Sequence, residues 1–444
     1  MLAYNLREAI KRIAGKNKLL EVEQRVDPKY EIAYITRHLE KKYAVLFKNI
    51  REKTGRVITG IYGDKERLAI ALDMKDEKEL LQRFSKAMDS PMPTKLISNA
   101  PVHEVEREID VRKLPIPTFY ERDMGPYITA GIFIAKDKET GARNASYHRM
   151  TPISKNKFAV RIVERDLYLF MKKAHEKGER LEVAVVIGVD PATAISASTT
   201  LPLYHDELQV AASLLGGGLR TVKGKTVDVE YPADAELVLE GYFEPNETTK
   251  EGPFVDILGT YDLIREQPVF TVTAIYSRKD PIFHAILPGG YEHKTLMGFP
   301  REVRIYKHVT EVIPVNDVYL TSWGSGWLEC VISVNKRHPD EPINAGLAAF
   351  AAHTSLKKVI FVDKDINIYD AEDVYWAVIT RAHPVRDYII IPRGKGSSLD
   401  MTGKPNARII IDATIKEKRE LFERARIPES ENSKRILDYF REKI

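Results

Sequence analysis

One cysteine, Cys330, stands among 444 residues. A single thiol makes neither an internal disulfide framework nor a multi-cysteine zinc site, and it points to a reducing, cytoplasmic compartment. Long apolar runs are missing as well. The N-terminus "MLAYNLREAIKRIAGKNKLLEVE" places Leu2, Leu6, Ile10 and Ile13 at helical spacing with charges between them. It lacks the continuous apolar core of a signal peptide, and nothing in the chain is long and apolar enough to span a membrane. Charge of one sign is not in excess either. The formal net charge is only +4, which argues against a dedicated nucleic-acid binder with its concentrated basic residues. Glutamine is sparse beside abundant Lys, Arg and Glu, a balance that leans toward a thermophilic source. The 11 histidines show neither HExxH nor paired metal-ligand spacing.

What is present describes a globular chain, 43% hydrophobic and 30% charged, long enough for two or three domains. To about residue 112 helical and strand patterns mix. "YAVLFKNI" and "RVITGIYG" read as strands, and "DEKELLQRFSKAMD" as an acid-started amphipathic helix. The proline-punctuated segment beginning "ISNAPVHEV" reads as an extended connection. From about 127 to 305, strand-like runs recur between turn residues: "YITAGIFIAKD", "FAVRIV", "LEVAVVIGV", "AELVLEGYF", "PVFTVTAIYS", "PIFHAILPG". Two helices interrupt them, at "DLYLFMKKAHEKG" and "HDELQVAASLLGGG". Many strands with few helices suggest a closed or half-closed antiparallel barrel. Beyond 306, "VIFVDKDINIYDAEDVYWAVITRAHPVRDYIIIP" reads as strand, loop, helix, strand, an α/β domain with a buried sheet. The last thirty or so residues form a charged helical tail with apolar residues that suit docking on a neighbouring subunit.

Three stretches could carry chemistry. "KEGPFVDILGTYD" sets Glu251 and Asp256 around a Gly-Pro bend that can turn both acids toward one cavity. Two carboxylates sharing a pocket do not both ionise cheaply, so one becomes a proton donor. "GARNASYHRM" offers Asn144, whose carbonyl suits a hard cation, and Arg149, a permanently charged fork for a carboxylate. "HDELQVAASLLGGG" puts Glu207 in the first turn of a helix, where it suits the helix dipole. Each has a bland alternative, respectively a polar hairpin, a surface loop and a helix cap, and taken singly each bland reading is the commoner. "YEHKTLMGFPRE" brings His293, Lys294 and Arg301 together as anion binders or, by default, as a solvated charged loop.

Taken in order, these segments resemble the UbiD family of prenylated-flavin-dependent decarboxylases, from about residue 100 to 400. The resemblance implies a mixed α+β chain of three parts, an N-terminal α/β domain (1–112), a split β-barrel that binds prenylated FMN (113–305) and a C-terminal α/β domain (306–410); the helical tail (411–444) read above follows as a candidate for oligomerisation. It implies a divalent metal, typically Mn2+ with K+ nearby, held by Asn144 and Glu207 against the flavin phosphate. It makes Arg149, Glu251 and Asp256 the catalytic network, with Asp256 as proton donor. Tyr147, His148, Arg149, Arg161, Ile162, Val163 and Arg165 would line the cofactor. Arg165 stands, by counting from Asn144, where many members carry a metal-binding His. Arg cannot ligate a cation, so either phosphate and waters complete the shell or Arg165 contacts the phosphate.

The implied reaction is non-oxidative loss of CO2 from an α,β-unsaturated or aromatic acid, with a flavin prenyltransferase supplying the cofactor and a homodimer or assembly of dimers as the working form. The pattern resembles archaeal members that convert trans-anhydromevalonate 5-phosphate to isopentenyl phosphate in a mevalonate pathway. His293, Lys294 and Arg301 then become candidates for the substrate phosphate. An aromatic acid such as 4-hydroxy-3-polyprenylbenzoate is the rival substrate. A split-barrel flavin oxidoreductase is the more distant alternative.

Overall fold

The computed structural model describes residues 5–416, 419–425 and 427–441. Leu2 of the N-terminal pattern, and Glu417, Lys418, Arg426 and the last three residues of the tail, lie outside them. The opening pattern forms the helix Leu6–Ala14, which Asn5 caps by accepting the Glu8 N–H at 3.0 Å. Its Leu6, Ala9, Ile10 and Ile13 are buried along one stripe. The acid-started pattern becomes Glu77–Asp89, capped by Asp76.

The first sheet runs in the order Leu19–Val26, Ala44–Ile50, Arg56–Thr59, Ile282–His284. Its last strand comes from "PIFHAILPG", which the sequence reading assigns to the barrel. It pairs in parallel with Arg56–Thr59 instead. All three of its residues are buried, and a strand covered on both faces looks alike in sequence whichever sheet it joins.

The central sheet follows the path Arg143–Tyr147, Ile132–Lys136, Leu181–Ile187, Leu237–Glu251, Arg265–Ser277, Lys157–Val160, Met150–Pro152, with Val105–Arg107 added beside Arg265–Ser277. Every pairing in it is antiparallel. Its strands read as unbroken apolar runs because both faces are covered. Ile132, Ile134, Ala184 and Val186 enter one core, while Phe133, Ala135, Val183 and Val185 enter another. The two end strands of the path are joined in sequence by His148 and Arg149 alone. Across the same gap Ile128 and Met150 exchange backbone bonds of 2.9 and 3.1 Å. The sheet thus curls into a half-barrel, and Arg149 sits where its two ends approach.

The helix Tyr291–Thr310 follows. It overturns the reading of "YEHKTLMGFPRE" as a solvated loop, and residue 305, where that reading divides two domains, lies inside it. Pro300, in the helix interior, obscures the helical pattern. Yet Glu292, Leu296, Phe299, Arg301 and Val303 are buried on it. A five-stranded sheet closes the chain in the order Val315–Leu320, Glu329–Val334, Lys358–Val362, Asn406–Asp412, Tyr388–Gly394, parallel at its centre and antiparallel at both edges. Its two faces fill separate cores, one with Phe350 of the helix Glu341–Ala352 and one with Val374 and Val378 of Ala371–Arg381. The fold is mixed α+β. No helix among the described residues is long and apolar enough to cross a membrane.

Candidate active site

A cavity of about 700 Å³ opens between the half-barrel, the helix Tyr291–Thr310 and the end of Glu341–Ala352. Asn144, Tyr147, His148, Arg149, Arg161, Val163, Arg165, Glu207, Asp256, His293 and Arg301, all read from sequence as site residues, line it together. Glu251 lies behind the wall. Ile162 turns its side chain into the core and gives its N–H to Gln267 at 2.8 Å. Lys294 is not part of the lining; its ammonium donates to the Ser322 carbonyl at 3.2 Å.

The acid pair is built on a hairpin. The long strand Leu237–Glu251 ends at Glu251, and Phe254–Val255 then pairs with Tyr261–Asp262. Gly252 between them has φ +96, a region that favours glycine, and a Cβ there would meet the Leu263 carbonyl at 3.1 Å. Glu251 is fully buried. Arg149 clamps it with Nε to Oε1 at 2.8 Å and Nη2 to Oε2 at 3.0 Å, and the Tyr127 hydroxyl adds a bond of 3.1 Å. Arg149 Nη2 also reaches Asp262 at 3.2 Å, and its guanidinium lies 5.0 Å from the Phe254 ring centroid. The remaining nitrogen, Nη1, makes no hydrogen bond among the described residues. Asp256 starts the turn. Its N–H bonds the Thr260 carbonyl at 2.9 Å, and Oδ1 accepts the Ile257 N–H at 2.6 Å.

Sequence reasoning missed Asp262 and Tyr127. Burial pulls Asp262 upward, but hydrogen bonds from Arg265 and Leu263 and the charge of Arg149 outweigh it and hold the carboxyl below its ordinary value. It stays an anion beside Arg149. Its only sequence signal is its place in the quoted hairpin, where it reads as a turn residue. His293 is half-buried, and desolvation lowers its imidazole pKa against the opposing pull of Asp256. Its Nδ1 accepts the Gly289 N–H at 3.1 Å, so the ring is neutral with its proton on Nε2.

At the other end Asn144 Nδ2 donates to Glu207 Oε1 at 3.2 Å, and the Ala145 N–H donates to Oε2 at 2.8 Å. Glu207 opens the helix Glu207–Leu214 and is only 3% exposed. Burial pushes its carboxyl up to about 8. The amide nitrogen of Asn144 faces the acid while its oxygen turns to Ser146, and a deeply buried carboxyl with a carboxamide beside it supplies the kind of oxygen donors a hard cation takes. Asn144 Oδ1 accepts from Ser146 at 2.9 Å, and Ser146 meets His148 Nε2 at 3.0 Å. His148 Nδ1 faces the Arg161 carbonyl at 3.1 Å, so both of its nitrogens are engaged, and burial takes its pKa down to about 4.

Three guanidiniums, Arg165, Arg301 and Arg304, share the cavity, and none pairs with an acid among the described residues. Arg301 bonds the Thr200 hydroxyl. Burial, then repulsion by Arg165 and Arg304, brings it down to about 10, still a cation at neutral pH. Only Arg301 of the three is buried, and a buried cation without an acid partner calls for an anion. The cavity therefore joins an arginine-lined end, an Asn-Glu corner and an Arg-acid network, with apolar walls from Val163, Leu167, Ile286, Leu296 and Met297. That combination suits a flavin mononucleotide and a carboxylic acid.

Comparison with known proteins gives the same direction. Three family models match in order: the 3-octaprenyl-4-hydroxybenzoate carboxy-lyase N-terminal domain over residues 10–88, its Rift-related domain over 94–291 and its C-terminal domain over 294–413. Anhydromevalonate phosphate decarboxylase of Methanothermobacter thermautotrophicus is 41% identical over 89% of this chain and 93% of its own. The enzyme of the same name from Methanosarcina mazei is 42% identical over 95% and 99%. The UbiD-class enzyme HmfF of Pelotomaculum thermopropionicum, solved in complex with FMN, superposes with a TM-score of 0.92 at 39% identity, covering 96% of this chain and 97% of that one. The 3,4-dihydroxybenzoic acid decarboxylase of Enterobacter cloacae gives 0.90 at 27%, over 99% and 100%. With its three domain matches and its relatives spanning nearly the whole length, the chain belongs to the UbiD family of carboxy-lyases.

Proposed function

We propose that the protein decarboxylates trans-anhydromevalonate 5-phosphate to isopentenyl phosphate and CO2 with prenylated FMN. The observation that carries this reading is the group of three unpaired guanidiniums sharing one cavity with Arg149 and Asp256. A substrate with a carboxylate at one end and a phosphate at the other uses both. The relatives at 41% and 42% identity bear that activity in their names. Prenylated FMN, when bound, supplies the electron sink that lets the carbon-carboxylate bond break. Asn144 and Glu207 would hold a divalent cation, Mn2+ with K+ as companion, against the flavin phosphate.

The residues divide the rest of the work. Arg149 Nη1 meets the substrate carboxylate while Nε and Nη2 stay committed to Glu251 and Asp262. Glu251 fixes the plane of the guanidinium. Asp256 gives the proton that replaces CO2 on carbon. Arg301, with Arg304, takes the substrate phosphate, and His293 lines the same cavity as Asp256. The working form is a dimer or an assembly of dimers. Ile436, Leu437, Tyr439 and Phe440, exposed on the helix Glu431–Arg441, supply apolar surface for a second copy.

The test is CO2 release by protein co-expressed with a flavin prenyltransferase. Anhydromevalonate phosphate should turn over, and 3,4-dihydroxybenzoate should not. Turnover of the aromatic acid alone by fully loaded enzyme discards the substrate assignment. A normal flavin spectrum with hydride transfer to a nicotinamide would discard the reaction class.

A further inference from the structure

Lys294 stays out of the cavity that His293 and Arg301 line, and it has a different task. Its ammonium donates to the Ser322 carbonyl at 3.2 Å, at the start of the turn 322–327. Gly326 in that turn has φ +63, and a Cβ there would lie 2.8 Å from Lys294 Cβ. The turn is thus laid closely against the helix Tyr291–Thr310, and it carries Trp327. The Arg301 guanidinium, further along the same helix, lies 5.9 Å from the Trp327 ring centroid. Trp327 is itself anchored. Its carbonyl accepts the Nε2–H of His353 at 3.1 Å, and the two rings meet edge-on with centroids 4.5 Å apart.

Arg301 is held from a second direction. Ser198, Thr199 and Thr200 follow the helix Pro191–Ser196. Ser198 and Thr199 turn their hydroxyls back to the Ile195 carbonyl, at 2.8 and 3.1 Å. Thr200 does not, and its hydroxyl accepts from Arg301 Nη2. The proton of that hydroxyl goes to no partner among the described residues, nor do Nε and Nη1 of Arg301. Thr200, Arg301, Trp327 and His353 all line the cavity. A buried arginine on an aromatic ring is often structural, but a structural arginine ends on acceptors. Arg67 does so, donating to Asp64 and to the Gly60 and Glu40 carbonyls. Arg301 ends on a hydroxyl that still has a proton to give.

We propose that Trp327 positions Arg301, and that the Thr200 hydroxyl donates beside it, so that the two form a clamp for the phosphate group of the substrate. This rests on Arg301 taking the substrate phosphate, as above. A guanidinium fixed between a ring and a hydroxyl loses less freedom when the anion arrives. Donation from Arg301 also polarises the Thr200 O–H toward that anion.

The test combines steady-state CO2 release with titration by inorganic phosphate, both on flavin-loaded full-length protein. Trp327→Leu should raise KM and weaken phosphate binding about tenfold, with a smaller effect on kcat and the flavin retained. Trp327→Phe keeps an aromatic face and should recover most of the loss. Thr200→Val keeps the shape without the hydroxyl and should weaken both about tenfold, and Thr200→Ser should restore them. Wild-type KM and phosphate affinity in Trp327→Leu or in Thr200→Val overturns the clamp, as does a loss in Trp327→Leu that Trp327→Phe does not recover. Loss of flavin from these variants with phosphate affinity intact gives the arginine end to the flavin phosphate, and overturns it too. Should the leucine variant of the buried Trp327 not fold, Thr200→Val and Thr200→Ser decide. Arg301→Gln tests the reading beneath. If it keeps wild-type KM and phosphate affinity, Arg301 does not take the phosphate. If it loses them while Trp327→Leu and Thr200→Val do not, only the clamp falls.

Discussion

Arg149 sits in the two-residue link between two strands, yet its guanidinium is held on two sides. Two of its nitrogens are tied to a fully buried carboxylate and one of these also to Asp262, so its third nitrogen is aimed before any ligand arrives. Arg149→Lys cannot reproduce the fork. It should leave Glu251 buried and underpaired, at a cost of about 3–5 kcal/mol, seen as a lower melting temperature together with lost turnover. A variant as stable as the wild type would show that the fork is not structural. Asp256 is a different case, because it lines the cavity and no cation pairs with it among the described residues. Asp256→Asn should keep the fold and the bound flavin spectrum and lose about 10²–10⁴-fold in CO2 release. Full activity in the flavin-loaded variant would remove Asp256 as donor.

At the scale of the element, the Gly-Pro bend after Glu251 turns only Asp256 into the cavity and leaves Glu251 behind its wall, while the apolar run "AELVLEGYF" before it reads as the strand it starts. The acid that completes the hairpin, Asp262, was not legible. Its role depends on the register Phe254 opposite Asp262 and on a guanidinium from residue 149, neither of which is written locally. Asn144 and Glu207 show the same limit: each alone reads as a loop polar group or a cap, and only their 3.2 Å contact across 63 positions makes a site. The helix Tyr291–Thr310 failed for the opposite reason, since a local signal, Pro300, argued against a helix that tertiary burial sustains. The hairpin carries its own test. Gly252 and Gly259 both have positive φ, but only at Gly252 would a Cβ meet backbone. Gly252→Ala should cost more than about 1 kcal/mol and cut turnover by moving Glu251 and Asp256 apart. Gly259→Ala, strained by its φ alone, should cost less. Equal effects on melting temperature and activity would contradict the close approach.

Across the whole molecule, the first sheet and the helix Tyr291–Thr310 meet at a pair of buried acids. Glu40 ends the helix Glu31–Leu39 and is fully buried. Its Oε1 accepts the N–H of Tyr291, the first residue of the long helix, at 3.0 Å, and its Oε2 finds no partner among the described residues. A Cβ on Gly290 would lie 2.4 Å from Glu40 Oε1, so a larger residue there would push the carboxylate aside. Next to it Glu292 takes the N–H groups of Gly60 and Tyr62 at 2.8 and 3.0 Å and meets His284 at 3.0 Å, binding the first sheet to the same helix. Burial pushes the Glu40 carboxyl up to about 7 from an ordinary value of 4.5, and the charge of Glu292 adds to the push. The folded chain therefore keeps a proton that the unfolded chain gives up between about pH 4.5 and 7. Stability contributed at this position falls as pH rises through that window and stays low above it. Glu40→Gln keeps an oxygen for the Tyr291 N–H and has no charge to bury. Its melting temperature should match the wild type near pH 4.5 and exceed it increasingly toward pH 8, by an amount on the order of 3 kcal/mol in stability. Melting curves of both proteins across that range decide it, and a gap that stays constant with pH would mean that Glu40 does not hold its proton at the junction.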